Sequence, residues 1–146
     1  IIIGTDHAGF ELKEAIKKYL MEQGIEVEDM GAHKLDKEDD YPDFIIPVAR
    51  KVAENPGSTG IIFGASGQGE AIAANKVKGV RAALYYGNNP EIVKLSRSHN
   101  NANILSLGAK FLTKEEARRA VKVWLETGFS NEPRHLRRLK KVSSIQ

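Results

Sequence analysis

Gly64-Ala65-Ser66-Gly67-Gln68-Gly69-Glu70-Ala71-Ile72-Ala73-Ala74-Asn75-Lys76 decides how this chain is read. The run before it, Thr59-Gly60-Ile61-Ile62-Phe63, is short and apolar and predicts a buried strand. The residues after the glycines, Glu70 to Lys76, predict a helix. A glycine-rich turn between strand and helix leaves several backbone N–H groups converging at the positive end of a helix dipole. Such a spot holds a phosphate or a developing oxyanion. The first residue of the predicted helix is a carboxylate, Glu70, so a proton acceptor stands beside the anion cradle. That pairing points to carbonyl chemistry rather than phosphate binding alone. The turn lacks the Gly-Lys-Ser/Thr ending of a Walker A loop, and its glycine spacing does not fit a dinucleotide fingerprint.

Strand and helix signals alternate on both sides of this unit. Ile1–Thr5 predicts a strand. Glu11–Gln23 is amphipathic, with Leu12, Ile16 and Leu20 on one face and Gly24 placed to stop it. Ile25–Asp29 predicts a second strand, and Gly31–Tyr41 a polar loop. Pro42 opens a helix running to about Glu54. Gly79–Tyr85 and Ala102–Leu107 predict the fourth and fifth strands, with a short helix over Pro90–Ser98 between them. Thr113 and Glu116 form a capping box for a helix over Lys114–Thr127, and Glu132-Pro133 opens a last helix. The expected fold is therefore α/β: a five-stranded parallel sheet in three layers, helices on both faces, and an extra C-terminal helix over 133–146. The 146 residues are expected to form one domain, 1–146. In such sheets ligands sit beyond the carboxyl ends of the strands. The polar residues there are Thr5-Asp6-His7, Gly64–Glu70, Tyr86-Gly87-Asn88 and Gly108-Ala109-Lys110.

Composition narrows the chemistry. There is no cysteine, which excludes disulfides, thiolate metal sites and a cysteine nucleophile. With no HExxH, EF-hand or Cys/His cluster, no metal is expected. The net charge is +3, but Arg134, Arg137, Arg138, Lys140 and Lys141 crowd one stretch, and removing those five leaves −2. A broad basic face is missing, and Leu136, Leu139, Val142 and Ile145 interrupt the basic stretch at helical spacing. The expectation is a helix that docks on protein, not a nucleic-acid tail. No apolar run is long enough for a bilayer and no signal peptide is visible, so no membrane partner and a cytoplasmic location are expected.

Several groups admit two readings. Glu70 reads as a helix-capping carboxylate held low by the dipole, or as a base lifted by burial. Asp6-His7 reads as a turn with an Asp cap, or as an acid–base and phosphate-binding pair. His99-Asn100 reads as a helix C-terminus, or as an acid with an oxyanion donor. Arg134 and Arg138, four apart, read as a solvated face or a phosphate clamp.

Six ordered blocks make a more specific match. They are Asp6-His7-Ala8-Gly9-Phe10-Glu11-Leu12-Lys13, Asp40-Tyr41-Pro42, Gly67-Gln68-Gly69-Glu70 with Ile72-Ala73-Ala74-Asn75-Lys76, Gly79-Val80-Arg81-Ala82, Ser96-Arg97-Ser98-His99-Asn100-Asn101-Ala102-Asn103, and Arg134-His135 with Arg138. Almost end to end, the chain resembles the type B ribose-5-phosphate isomerases, in the family that also holds galactose-6-phosphate isomerase. The resemblance implies a flavodoxin-like fold and interconversion of ribose 5-phosphate and ribulose 5-phosphate, in the pentose phosphate pathway, without cofactor or metal. It implies ring opening by Asp6 and His99, and proton transfer through an enediolate. The oxyanion would be held by amides of Gly67, Gln68 and Gly69 with Ser66 and Asn100. His7, Arg134 and Arg138 would hold the phosphate, and Tyr41 would touch the sugar. It also implies a homodimer with sites built from both chains, the last helix reaching across the partner, and a tetramer as a further state.

The match has two departures. Many members of the family carry a cysteine base where this chain has Gly64, whereas a second branch places a glutamate where Glu70 stands; this chain fits the second branch. An arginine after the fifth strand, implied to bind phosphate in that branch, is here Lys110. Lysine supplies the charge without the planar fork. The alternatives are the same chemistry on a six-carbon phosphate (allose or galactose 6-phosphate) and a non-catalytic phosphosugar-binding module.

Overall fold

The computed structural model describes residues 1–145. Five strands form one all-parallel sheet: β1 (Ile2–Thr5), β2 (Glu28–Asp29), β3 (Gly60–Gly64), β4 (Ala82–Tyr85) and β5 (Ile104–Gly108), in the order β2-β1-β3-β5-β4. The helices are α1 (Phe10–Glu22), α2 (Pro42–Glu54), α3 (Gln68–Asn75), α4 (Glu91–Ser98), α5 (Lys114–Glu126) and α6 (Pro133–Ser143). A single 3-10 turn, His7–Gly9, precedes α1.

Alternation along the strands splits the core into two layers. Ile3, Ile61, Phe63, Leu105 and Leu107 pack under α1, α4 and α5 with Leu12, Ile16, Leu20, Val93, Val121 and Trp124. Ile2, Ile62 and Ile104 face the other way, against Ile45, Val48, Val52 and Ala74 of α2 and α3. Parallel strands covered on both faces are near-continuously apolar, and β1, β3 and β5 are buried at every position.

The expected β-α order holds, with corrections at the ends. The second strand pairs over two residues only, Ile2 with Glu28 and Ile3 with Asp29. As an edge strand carrying Glu26 and Glu28, it has few apolar groups to bury. The fourth strand starts three residues later than expected, because Gly79 (φ +90°) turns the chain and Val80 caps that turn through its N–H to Val77 O. The Thr113–Glu116 capping box forms as read.

One charged side chain is fully buried on the way to the site. Lys13 donates to both oxygens of Asp29 at 2.9 Å and to the Ala32 carbonyl at 2.6 Å. Burial acts to raise the Asp29 carboxyl, but bonds from Lys13, the Gly31 N–H and Lys17 outweigh it and leave its pKa lowered. This pair ties α1 to the loop that follows β2, and so fixes where the loop 31–41 begins.

Candidate active site

The order β2-β1-β3 puts the topological switch point between β1 and β3. Connections leave the sheet on opposite sides there, opening a crevice beyond the strand ends. β1 delivers Asp6 and His7 to that crevice, and β3 delivers the turn Ala65–Gly67 and the start of α3. Asp6 is buried and its carboxylate accepts from the Ala8 N–H at 3.0 Å, so it does cap the 3-10 turn as well. Gly67 takes φ +77° at the N-cap of α3, a conformation that favours glycine. The Ser66 hydroxyl accepts from the Gln68 N–H at 3.3 Å.

Glu70 is in the first turn of α3, two residues after the helix begins at Gln68. Its side chain is buried, with 5% exposure. Burial raises its pKa above the ordinary carboxylate range; its own backbone N–H opposes this, and the Asp6 charge adds to the rise. Burial therefore outweighs the bond from that backbone N–H, even without a sugar on top. The carboxyl group lies where a side chain at Gly64 would be: a Cβ there would overlap the Glu70 carboxyl, and its three nearest neighbours would all be Glu70 atoms. Gly64→Ala therefore has one way to be accommodated, by moving that carboxyl. A displacement on the order of 1 Å costs about a hundredfold in turnover. The expected result for Gly64→Ala is that loss in kcat with an unchanged circular dichroism spectrum.

The loop after β2 returns to the crevice. An Asp39 N–H to Asp36 carbonyl bond of 3.2 Å turns it. Tyr41 follows and lies against the glycine turn, where a Cβ on Gly69 would meet its ring and hydroxyl at 2.7 Å. Asp39 reaches His7: its Oδ1 lies 2.6 Å from His7 Nδ1 and accepts the His7 backbone N–H at 3.1 Å. Lys110 is pinned at the same end by its N–H to the Ala65 carbonyl, 2.9 Å. Asp6, His7, Tyr41, Ser66, Gly67, Gln68, Gly69, Glu70 and Lys110 thus share one end of the sheet. Tyr86 is also at this end, but it tilts against Phe111 at 5.9 Å between centroids.

His99, Asn100, Arg134 and Arg138 are elsewhere. α4 runs back across the sheet, so His99 caps its C-terminus and Asn100 follows at the amino end of β5. The length of β5, roughly 13 Å at about 3.3 Å per residue, separates them from the crevice. Two arginines set this turn: Arg81 Nε donates to the Asn101 carbonyl at 2.7 Å, and Arg97 donates to the Asn101 side chain at 3.3 Å. α6 joins them through His135, which is buried, stacks on His99 at 4.2 Å and meets the Ser130 hydroxyl at 2.7 Å. Burial lowers the His135 pKa, with His99 and Arg134 adding to the effect, which favours a neutral ring beneath His99. Arg134 and Arg138 are exposed one turn apart beside it. Leu139 and Val142 of α6 border a cleft of about 460 Å³ shared with Asn100. The expected catalytic set therefore divides into two groups at opposite ends of one chain. Asp39 and His135 were not among the expected site residues. The Asp-rich loop gave no periodic signal, while His135 stood inside the Arg134–Arg138 block.

Residues 1–142 match the family model described as Ribose/Galactose Isomerase. Ribose-5-phosphate isomerase B of Mycolicibacterium paratuberculosis is 44% identical over 139 residues, 95% of this chain and 86% of that protein. The Mycobacterium leprae protein of the same name is 42% identical over 100% of this chain and 89% of its own. Among solved structures, ribose-5-phosphate isomerase B of Mycoplasma genitalium with bound ribulose 5-phosphate superposes with a TM-score of 0.93 at 40% identity, covering 98% and 93% of the two chains. The Thermotoga maritima enzyme gives 0.92 at 42% identity, covering 99% and 97%. With crevice, fold and sequence in agreement, the chain belongs to the ribose/galactose isomerase family, among its type B ribose-5-phosphate isomerases.

Proposed function

We propose that this chain interconverts ribose 5-phosphate and ribulose 5-phosphate through an enediolate, with Glu70 carrying the proton between C2 and C1. The observation that carries this reading is the Glu70 carboxyl itself. It is buried at the switch point, raised in pKa, and placed beside the amide turn by the absence of a side chain at Gly64. A raised carboxylate is the matched base for a carbon acid near neutral pH. The base takes the C2 proton of the opened aldose; the electron pair moves onto the carbonyl oxygen; the amides of Gly67 to Gly69, with Ser66, hold that oxyanion. Transfer of the O2 hydroxyl proton to O1, with return of the carbon proton to C1, gives the ketose. Asp6 and His99 assist ring opening, His7, Lys110, Arg134 and Arg138 hold the phosphate, and Tyr41 borders the sugar.

The two-ended arrangement supports a site made by two copies. Residues at one end of a sheet reach those at the other only through a partner related by symmetry. In this reading His99, Asn100, Arg134 and Arg138 of one protomer complete the crevice of the next, with α6 as the bridging arm. Its exposed Leu136 and Val142 fit that role. The cytoplasm is the proposed compartment.

The test is conversion of ribose 5-phosphate to ribulose 5-phosphate by the purified chain, followed by NMR in D₂O. The expected product carries partial deuterium at C1, because a carboxyl proton exchanges with solvent during transfer. No ketose, or deuterium in the ketose at a carbon other than C1, would overturn the reading. Parallel assays with allose 6-phosphate and galactose 6-phosphate are expected to be slower.

A further inference from the structure

We propose that Asp39 is a positioning residue that turns the His7 ring and keeps it cationic, so that the free Nε2–H meets the anionic end of the substrate. This rests on the isomerase reading above only for the identity of that anion.

The geometry is specific. One Asp39 oxygen takes two bonds from the same residue, the His7 backbone N–H at 3.1 Å and the Nδ1 side of the ring at 2.6 Å. A ring held at both its backbone and Nδ1 has one orientation, which leaves Nε2 as the ring nitrogen free to bond elsewhere. The Asp39 side chain is nine-tenths buried, and its other oxygen, Oδ2, has no hydrogen-bond partner among the described residues. A buried carboxylate with one bare oxygen demands a positive partner. His7 is the one base within ion-pair reach of it among the described residues. The charged groups facing His7 are all acidic: Asp39 on the loop, Asp6 beside it in sequence (3.9 Å from Nδ1), and Asp36 further along the loop. The bond to Asp39 is the largest cause of a raised His7 pKa; burial opposes it and the charges of Asp6, Asp39 and Asp36 add to it.

The chemistry explains why an isomerase of this kind gains from the arrangement. A neutral imidazole offers an anion one weak N–H; an imidazolium offers a charge-assisted bond, about twice as strong. With its pKa raised, His7 keeps its charge above the ordinary histidine range. That charge is lost as pH climbs through the raised value, so the grip on the anion fails on the alkaline side. Sequence distance hides the pair, since 32 residues separate its members.

The experiment compares the wild type with Asp39→Asn, which preserves size and the Oδ1 acceptor but replaces Oδ2 with an amide donor and removes the charge. Two readouts are taken: titration of the His7 ring by NMR, and the pH profile of kcat/KM with ribose 5-phosphate. In the variant the His7 titration is expected to move to lower pH, with the alkaline limb of kcat/KM moving alongside. KM near pH 8 is expected to rise about tenfold while kcat holds within about twofold. In a His7→Gln background the same Asn change is expected to add no further loss, since Asp39 acts through His7. A His7 titration unchanged by the substitution would overturn the proposal, and so would a full further loss in the His7→Gln background. A shifted titration with an unchanged KM would overturn the claim on the substrate anion. If neither protein isomerises the sugar, the isomerase reading fails, and the His7 titration still decides whether Asp39 governs the ring.

Discussion

Glu70→Gln is expected to lower kcat by at least ~10³-fold while leaving the affinity for a substrate analogue within a few-fold of wild type. Glutamine matches glutamate in shape, so the pocket beside Gly64 stays filled and α3 keeps its first turn. What disappears is the buried carboxylate that lies against Gly64, beside the amide turn. Asp6 is the other buried carboxylate there, but one of its oxygens is engaged by the Ala8 N–H. The wild-type profile adds a second check. Glu70 must be ionised to accept a proton, and burial raises its pKa. Activity is therefore expected to fall as pH drops through a value above the ordinary glutamate range. An isothermal binding measurement with a five-carbon hydroxamate, alongside steady-state rates, separates lost chemistry from lost binding. Normal turnover by Glu70→Gln would remove the mechanism.

Complementation between two dead variants is the second large effect. His99→Asn is expected to lose at least ~10²-fold through the missing acid. Mixed with Glu70→Gln and allowed to exchange subunits, it should regain activity. A mixed dimer has one crevice with both defects and one with neither, so random pairing restores about a quarter of wild-type sites. The argument rests on where α4 ends. His99 caps that helix at the amino edge of the sheet, away from Asp6 and Glu70 of its own chain. If both groups served one protomer, mixing would restore nothing. Rates after exchange, set against the unmixed variants, decide between the two.

The architecture was legible because short apolar strands and capped helices alternate with little ambiguity. Ile61-Ile62-Phe63 and Ile104-Leu105 are buried on both faces and read as such. The weak strand was Ile25–Asp29, whose acidic residues let pairing lapse after two positions. Glu70 was visible in sequence, but its protonation was not. The dipole argument and the burial argument oppose each other, and only the location beside Gly64 decides between them. The pairing of Asp39 with His7 was invisible, because a loop without periodicity gives no sign of which carboxylate folds back. The separation of His99 from Asp6 was also hidden: spacing along the chain does not show that α4 returns a residue to the far edge.

The bare backbone at Gly64, with the Glu70 carboxyl seated against it, constrains how such a catalyst could change its chemistry. A thiol introduced there would compete with the Glu70 carboxyl for one volume, and losing the carboxyl first would leave no base at all. Either single substitution is expected to lose most of the activity. Exchange of one catalytic group for the other therefore calls for paired replacements, because one volume holds only one of them.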